Sequence, residues 1–230
     1  MQSPTRHTSD GPNDAQQRVL GLLAALGDVE VDADDVAGIA GLPDAVPVLE
    51  KLRSRRLVDG DGARYRLAAP AGPGPRHDAV GAAWMPLVLG HLLARYEQSA
   101  SAPGTPDRPA TVVDDLELVL AAVEWAMAAR RWEDVVRLVR AVDPPLAMSR
   151  QWGAWEMVLL RGLEAARAGG DRGGEAWVLH QLGTRSLGLG DAGAARRHLT
   201  SAVALRESLG DRRGAAVSRR NLVLSEAATS

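Results

Sequence analysis

The stretch Gly170-Asp171-Arg172-Gly173-Gly174-Glu175-Ala176 returns forty residues later as Gly210-Asp211-Arg212-Arg213-Gly214-Ala215-Ala216. The register holds beyond the turn, because Gln181-Leu182 and Asn221-Leu222 sit at the same distance past it. Self-similarity at a fixed period of this length marks a repeat architecture. A single unit cannot bury its apolar face alone, so neighbouring units stack around one continuous core. The spacing therefore predicts helical hairpins in series, an arrangement that usually binds things instead of transforming them.

In the best-formed unit, Leu179, Leu182 and Gly183 lie on the first helix and Gly190-Asp191 makes the turn. Ala195, Leu199 and Ala202 lie on the second helix. Small residues at Gly183 and Ala195 let the helices approach, and Leu199 fills the space between them. At these positions the unit resembles a tetratricopeptide repeat, with Ser186 in place of the usual tyrosine and the terminal proline missing. Trp152-Gly153-Ala154-Trp155 with Leu159 and Leu163 repeats the second-helix pattern one period upstream. Asp114 to Arg131 followed by Trp132 to Val142 reads as a more divergent pair. Tetratricopeptide-like repeats are thus expected over 111–230. The sequence finishes soon after Leu222-Val223-Leu224, half-way through a repeat, so that helix either caps the stack or belongs to something larger.

Upstream lie two Pro/Gly-rich connectors, residues 69–75 and 99–109. Proline lacks a backbone donor and glycine costs entropy, so neither stretch is expected inside a helix or sheet. Between them, within a linker region spanning 69–110, residues 78–98 read as one arm helix carrying Trp84, Leu87, Leu89, Leu92, Leu93 and Tyr96. Residues 14–68 form the first block. Val19, Leu20, Leu22, Leu23 and Leu26 make an apolar helical stripe ending at Gly27. A second helix fits Ala33 to Ala40, with Val36 and Ile39 inward and Gly41 as its stop. A third opens at Asp44 as N-cap, with Pro47 in its first turn and Val48, Leu49 and Leu52 toward the core. Asp59-Gly60-Asp61-Gly62 signals a hairpin turn, after which Arg64-Tyr65-Arg66-Leu67 alternates as a half-exposed strand does. Three helices and a hairpin predict a winged helix. Residues 1–13 have the composition of a disordered segment.

Composition narrows the function classes. The 230 residues are 46% apolar but lack phenylalanine and cysteine, and aromatics are 3%. The core must be Leu, Val and Ala with six tryptophans as large exceptions, a mixture that favours helix. Lys51 is the only lysine, and codon usage in a GC-rich genome explains the arginine bias more simply than selection for bidentate contacts. Net charge is −2 and the pI about 6.2, so no overall pull toward nucleic acid or anionic membrane follows. Without cysteine there is no disulfide framework, thiolate nucleophile or Cys-ligated zinc. Residues 1–14 carry no apolar signal-peptide core. Residues 79–94 are apolar but shorter than the ~18–20 needed to cross a bilayer. A cytoplasmic protein without membrane contact is expected.

The three blocks in this order resemble the C-terminal half of NB-ARC-type signal-transduction ATPases, the STAND regulators of actinobacteria. The residues carrying the likeness are Val48-Leu49-Glu50-Lys51-Leu52, the Leu57-Val58…Arg64-Tyr65-Arg66-Leu67 hairpin and the Gly-Asp-Arg turns. In that family the winged helix follows a nucleotide-binding module, and a helical arm and tetratricopeptide sensor follow it. The resemblance implies a sensing repeat array and an internally packed winged helix. No G-x-x-x-x-G-K-[S/T] loop occurs here, so the family's ATPase activity is not carried over.

Chemistry-bearing patterns are few. Lys51, Arg53, Arg55 and Arg56 on the third helix, with Arg64 and Arg66 on the wing, are the candidate nucleic-acid contacts. Recognition helices read bases with their N-terminal residues, and here Leu42-Pro43-Asp44-Ala45-Val46 offers no Arg, Asn or Gln. The cationic residues sit at the helix C-terminus, where they offset the macrodipole, so a solvated or intramolecular basic face is the favoured reading. His7, His77, His91, His180 and His198 show no i, i+4 pair, so no metal site is expected. No G-x-S-x-G elbow or Cys–His pair exists, so no catalytic residue and no cofactor is assigned. The repeat groove remains. Its first-helix face presents Trp177, His180, Gln181 and Thr184, continued by Val217, Arg220, Asn221 and Leu224. Trp and Arg dominate interface hot spots, so this is the candidate partner-binding surface; packing of Trp177 on a neighbouring repeat is the plainer alternative. The expected function is a non-catalytic adaptor or sensor module in signalling or regulation, binding a protein segment or, as a second class, a small ligand. The alternatives are a DNA-binding transcriptional regulator and a detached part of a split signalling ATPase.

Overall fold

The computed structural model describes residues 13–101 and 109–227. The segment expected to be disordered therefore lies outside the described residues, apart from Asn13. Among those residues the chain is mainly helical with one small sheet, and it divides into two compact units, Met1–Leu87 and Val88–Ser230.

The first unit begins with α1 (Asp14–Leu26), opened by a reciprocal cap. Asn13 Oδ1 accepts from Gln16 N at 2.9 Å, and Gln16 Oε1 accepts from Asn13 N at 3.1 Å. Val19, Leu22, Leu23 and Leu26 are buried, as the stripe predicts. Then follow β1 (Val31–Asp32), α2 (Ala33–Ala40), α3 (Val46–Ser54), β2 (Val58–Gly60) and β3 (Arg64–Leu67). The antiparallel sheet has the order β1-β3-β2, with Val31 opposite Tyr65 and Val58 opposite Leu67. Strand β1 was not legible in the sequence, because two residues are too few to show alternation.

Two local expectations need correction, and one connector does more than expected. Helix α3 is capped by Ala45; Asp44 instead accepts from Val46 N at 2.9 Å, a side-chain turn that precedes the helix. Asp59 and Gly60 belong to β2, so the reversal is tighter than the Asp-Gly-Asp-Gly string suggests, with Asp61 accepting from Ala63 N and Arg64 N. The connector 69–75 has no helix or strand, yet it folds back on α1. Asp28 Oδ1 accepts from Gly74 N at 2.7 Å, and Arg76 N donates to Ala25 O at 2.8 Å.

Helix α4 (Ala79–Ser101) runs through the division between the units and continues into the stretch read as a connector. Trp84 lies over Gly21 of α1, where a Cβ would meet its Nε1 at 2.7 Å. The second unit adds α5 (Pro109–Asp114), α6 (Leu116–Ala128), α7 (Trp132–Met148), α8 (Trp152–Gly169), α9 (Arg172–Gly188), α10 (Ala192–Ser208) and α11 (Arg212–Ala227). Each helix from α6 to α11 packs on the next one in the chain, and α9 also touches α11. Helix α7 passes through Pro144 and Pro145, beyond the expected end at Val142, because Leu146 is fully buried and anchors the last turn. No helix among the described residues is long and apolar enough to cross a membrane.

The turns are more regular than the sequence shows. Residues 130, 150, 170, 190 and 210 are all left-handed, at φ between 55° and 76°, one every twenty residues. In every case the next residue's N–H closes back on the helix just ended, for example Asp171 N to Ala166 O at 2.8 Å and Arg131 N to Ala126 O at 2.8 Å. Glycine supplies this conformation at the last three turns, and Arg130 and Arg150 adopt it at the first two. Asp171, Asp191 and Asp211 then cap α9, α10 and α11 by accepting from Gly174 N, Ala194 N and Gly214 N.

Candidate functional site

Because the helix starts recur every forty residues, α7, α9 and α11 present equivalent stripes. Positions 133, 137, 140 and 144 on α7 correspond to 173, 177, 180 and 184 on α9 and to 213, 217, 220 and 224 on α11. Spacings of three and four place each set along one helix face. Side chains link the three helices laterally. Arg140 lies 5.0 Å above the Trp177 ring, a cation–π contact across the repeat boundary. Gln181 Nε2 donates to Asp143 Oδ2. Asn221 Nδ2 donates to Thr184 Oγ1 at 3.0 Å, and Thr184 donates in turn to His180 O at 2.9 Å.

The eight residues expected on this surface divide into two depths. Val217, Arg220 and Leu224 are exposed, and Trp177 is half-buried under Arg140. Thr184, Gln181 and Asn221 are part-buried and engaged with neighbouring helices. His180 is only 9% exposed and lies beneath the face. Its Nδ1 is 3.1 Å from Ser218 Oγ, which also receives a hydrogen bond from Arg206 Nη1 at 2.9 Å. An arginine only donates, so the serine keeps its own proton for His180, and we assign Nδ1 as the acceptor of a neutral imidazole. Burial and then the Arg206 charge hold the His180 pKa down at about 4.

Behind this face the α9–α10 interior is apolar. In α9–α10 a Cβ on Gly183 would come within 2.5 Å of Leu199, and Ala195 and Leu199 are fully buried. In α7–α8 the equivalent interior is polar. Asp143 accepts from Trp155 Nε1 at 2.7 Å as well as from Gln181, with both Asp143 and Trp155 buried. Burial pushes the Asp143 pKa up, and the two hydrogen bonds partly offset it. Trp152, half-buried, lies against Gly188 and 5.7 Å from buried Trp155, so both tryptophans pack on neighbouring helices.

Half of the basic cluster of the first unit is engaged within the unit. Arg53 pairs with Glu50 at 2.7 Å and donates to Gly60 O; Arg64 donates to Glu30 O at 2.9 Å, and Arg66 lies 3.8 Å from Glu30. Lys51, Arg55 and Arg56 are exposed. The sequence pattern pointed to Trp177 and its stripe but not to Arg140, Asp143 or Ser218, whose partners lie more than ten residues away. Compared with known proteins, the chain matches no family model, no curated protein and no solved structure.

Proposed function

We propose that this protein is a non-catalytic adaptor or sensor whose α7–α9–α11 face binds a protein segment. The carrying observation is the half-exposed Trp177 beside exposed Val217, Arg220 and Leu224, on helices already tied together underneath. The hairpin order and the twenty-residue turns support a tetratricopeptide-like reading of the second unit. The order α1-β1-α2-α3-β2-β3 around a β1-β3-β2 sheet supports a winged-helix reading of the first. The resemblance to the winged-helix and repeat half of NB-ARC regulators is a proposal of the same standing.

The test is selection from a displayed random-peptide library on immobilised protein. Wild type should enrich peptides over bare support, and Trp177→Ala should lose that enrichment while keeping its unfolding midpoint. Leu199→Ala is the structural control and should cost about 2–5 kcal/mol in urea unfolding, since it opens a cavity between paired helices. If Trp177→Ala destabilises as much as Leu199→Ala, the groove assignment fails.

A DNA-binding regulator is the second reading, favoured by the exposure of Lys51, Arg55 and Arg56. It requires salt-dependent duplex binding that disappears when Arg53, Arg55 and Arg56 are neutralised. A flat titration at low salt removes it.

A further inference from the structure

We infer that the segment bound by the α7–α9–α11 face is acidic, with carboxylates interleaved with apolar side chains. The inference rests on the binding-face reading above and names its occupant.

Charge on the three stripes is one-sided. The stripe positions 133, 137, 140 and 144, with their equivalents on α9 and α11, carry Arg137, Arg140, Arg213 and Arg220 against one acid, Glu133. Arg137 is neutralised by Glu97 at 3.0 Å and by Asp134 at 3.7 Å. Arg213 and Arg220 are exposed and make no ion pair among the described residues. Below the surface lies one further arginine. Arg206 is 8% exposed; burial lowers its pKa, Asp211 at 3.9 Å opposes this, and the nearby Arg140 lowers it further. In an otherwise near-neutral chain, net −2, a face that carries exposed Arg213 and Arg220 without ion pairs beside Arg140 presents a local positive potential.

The apolar groups decide between anionic occupants. On α11 the stripe alternates Arg213, Val217, Arg220 and Leu224, with Val217 and Leu224 48% and 56% exposed. On α9 the neighbouring position is the Trp177 ring, already partnered by the guanidinium of Arg140 on its face. A nucleic acid would use the arginines but leave the two aliphatic side chains facing water. A peptide with Asp or Glu among Leu, Ile or Val satisfies both sets, with guanidinium forks on carboxylates and apolar burial between them.

The same library selection tests this inference, read for composition instead of yield. Wild type should enrich Asp and Glu together with aliphatic residues. The double variant Arg213→Glu/Arg220→Glu, altered at two exposed positions, should bind the selected peptides roughly ten-fold more weakly and enrich Lys and Arg in their place. Raising the salt should weaken wild-type binding and leave a residual apolar component that Leu224→Ala reduces. Peptides enriched without acidic residues, or unaffected by the double reversal, overturn the acidic assignment and leave the groove reading standing. Displacement of the selected peptides by a DNA duplex at lower concentration than by the free peptide overturns it in favour of nucleic acid. No enrichment over bare support removes both readings.

Discussion

Two hairpins built on the same forty-residue frame solve the same packing problem in opposite ways. In α9–α10, Gly183 and Ala195 meet with nothing larger than Leu199 between them. In α7–α8 the equivalent positions are Asp143 and Trp155, joined by a 2.7 Å hydrogen bond. Removing side-chain volume lets backbones approach. Adding it requires a large ring and then a partner for the ring's N–H. The polar solution also ties the hairpin to its neighbour, because the second oxygen of Asp143 reaches Gln181 on α9. What differs is therefore whether the hairpin's own interior supplies a tie to the next repeat.

The largest effect that would break this comparison comes from Trp155→Ala. It empties a buried site and strips Asp143 of a donor, and we expect a loss of about 3–5 kcal/mol in urea unfolding. A loss below 1 kcal/mol would mean that the ring does not fill the interior. The double change Asp143→Gly/Trp155→Ala imports the downstream solution and should cost less than the sum of its singles, since the two residues share one interaction. Conversely Gly183→Ala places a methyl against Leu199 and should cost about 1–3 kcal/mol.

Titration sharpens the comparison further. The raised pKa of buried Asp143 means that its contribution to stability is held at low pH and is lost as pH rises through the folded value. Asp143→Asn keeps an acceptor for Trp155 Nε1 and, with the Gln181 amide turned to present its oxygen, the second hydrogen bond as well, without the charge, so its thermal midpoint should exceed wild type by a margin that grows toward neutral pH. His180 has the opposite sign. With its folded pKa held at about 4, its contribution is present above the ordinary histidine value and is lost as pH falls from there toward 4. His180→Gln should flatten the stability profile over that window, and an unchanged slope would sink the buried-imidazole assignment.

The smallest effects lie in the turns. Arg150→Gly relieves a left-handed residue and should gain about 1 kcal/mol, whereas Gly190→Ala, at the same place in the next hairpin, should lose about as much. Thermal midpoints of the pair would show whether the twenty-residue turn has one geometry throughout.

How much could be read in advance follows the same divide. Gly-Asp at 170, 190 and 210 announces both the left-handed residue and the cap, so the downstream hairpins were legible. Arg130-Arg131 and Arg150-Gln151 adopt the same backbone without either signal, and the upstream hairpin looked divergent for that reason. Helix α4 runs on to Ser101, into the start of an apparent connector, because alanine and serine do not end a helix. At the candidate site, periodicity was enough to line up Trp177 with Val217. It could not separate exposed Arg220 from buried His180, although the two occupy equivalent positions.

The residues alone determined the period, the order of helices and the caps of the later turns, because backbone preferences and first-turn hydrogen bonds act over three or four neighbours. Which polar groups went inside was decided only in three dimensions. Asp143, His180 and Arg206 are buried because Trp155, Gln181 and Ser218, twelve to thirty-eight residues away, supply their hydrogen bonds. A polar side chain tolerates burial only with such partners, and no local pattern records whether they will be there.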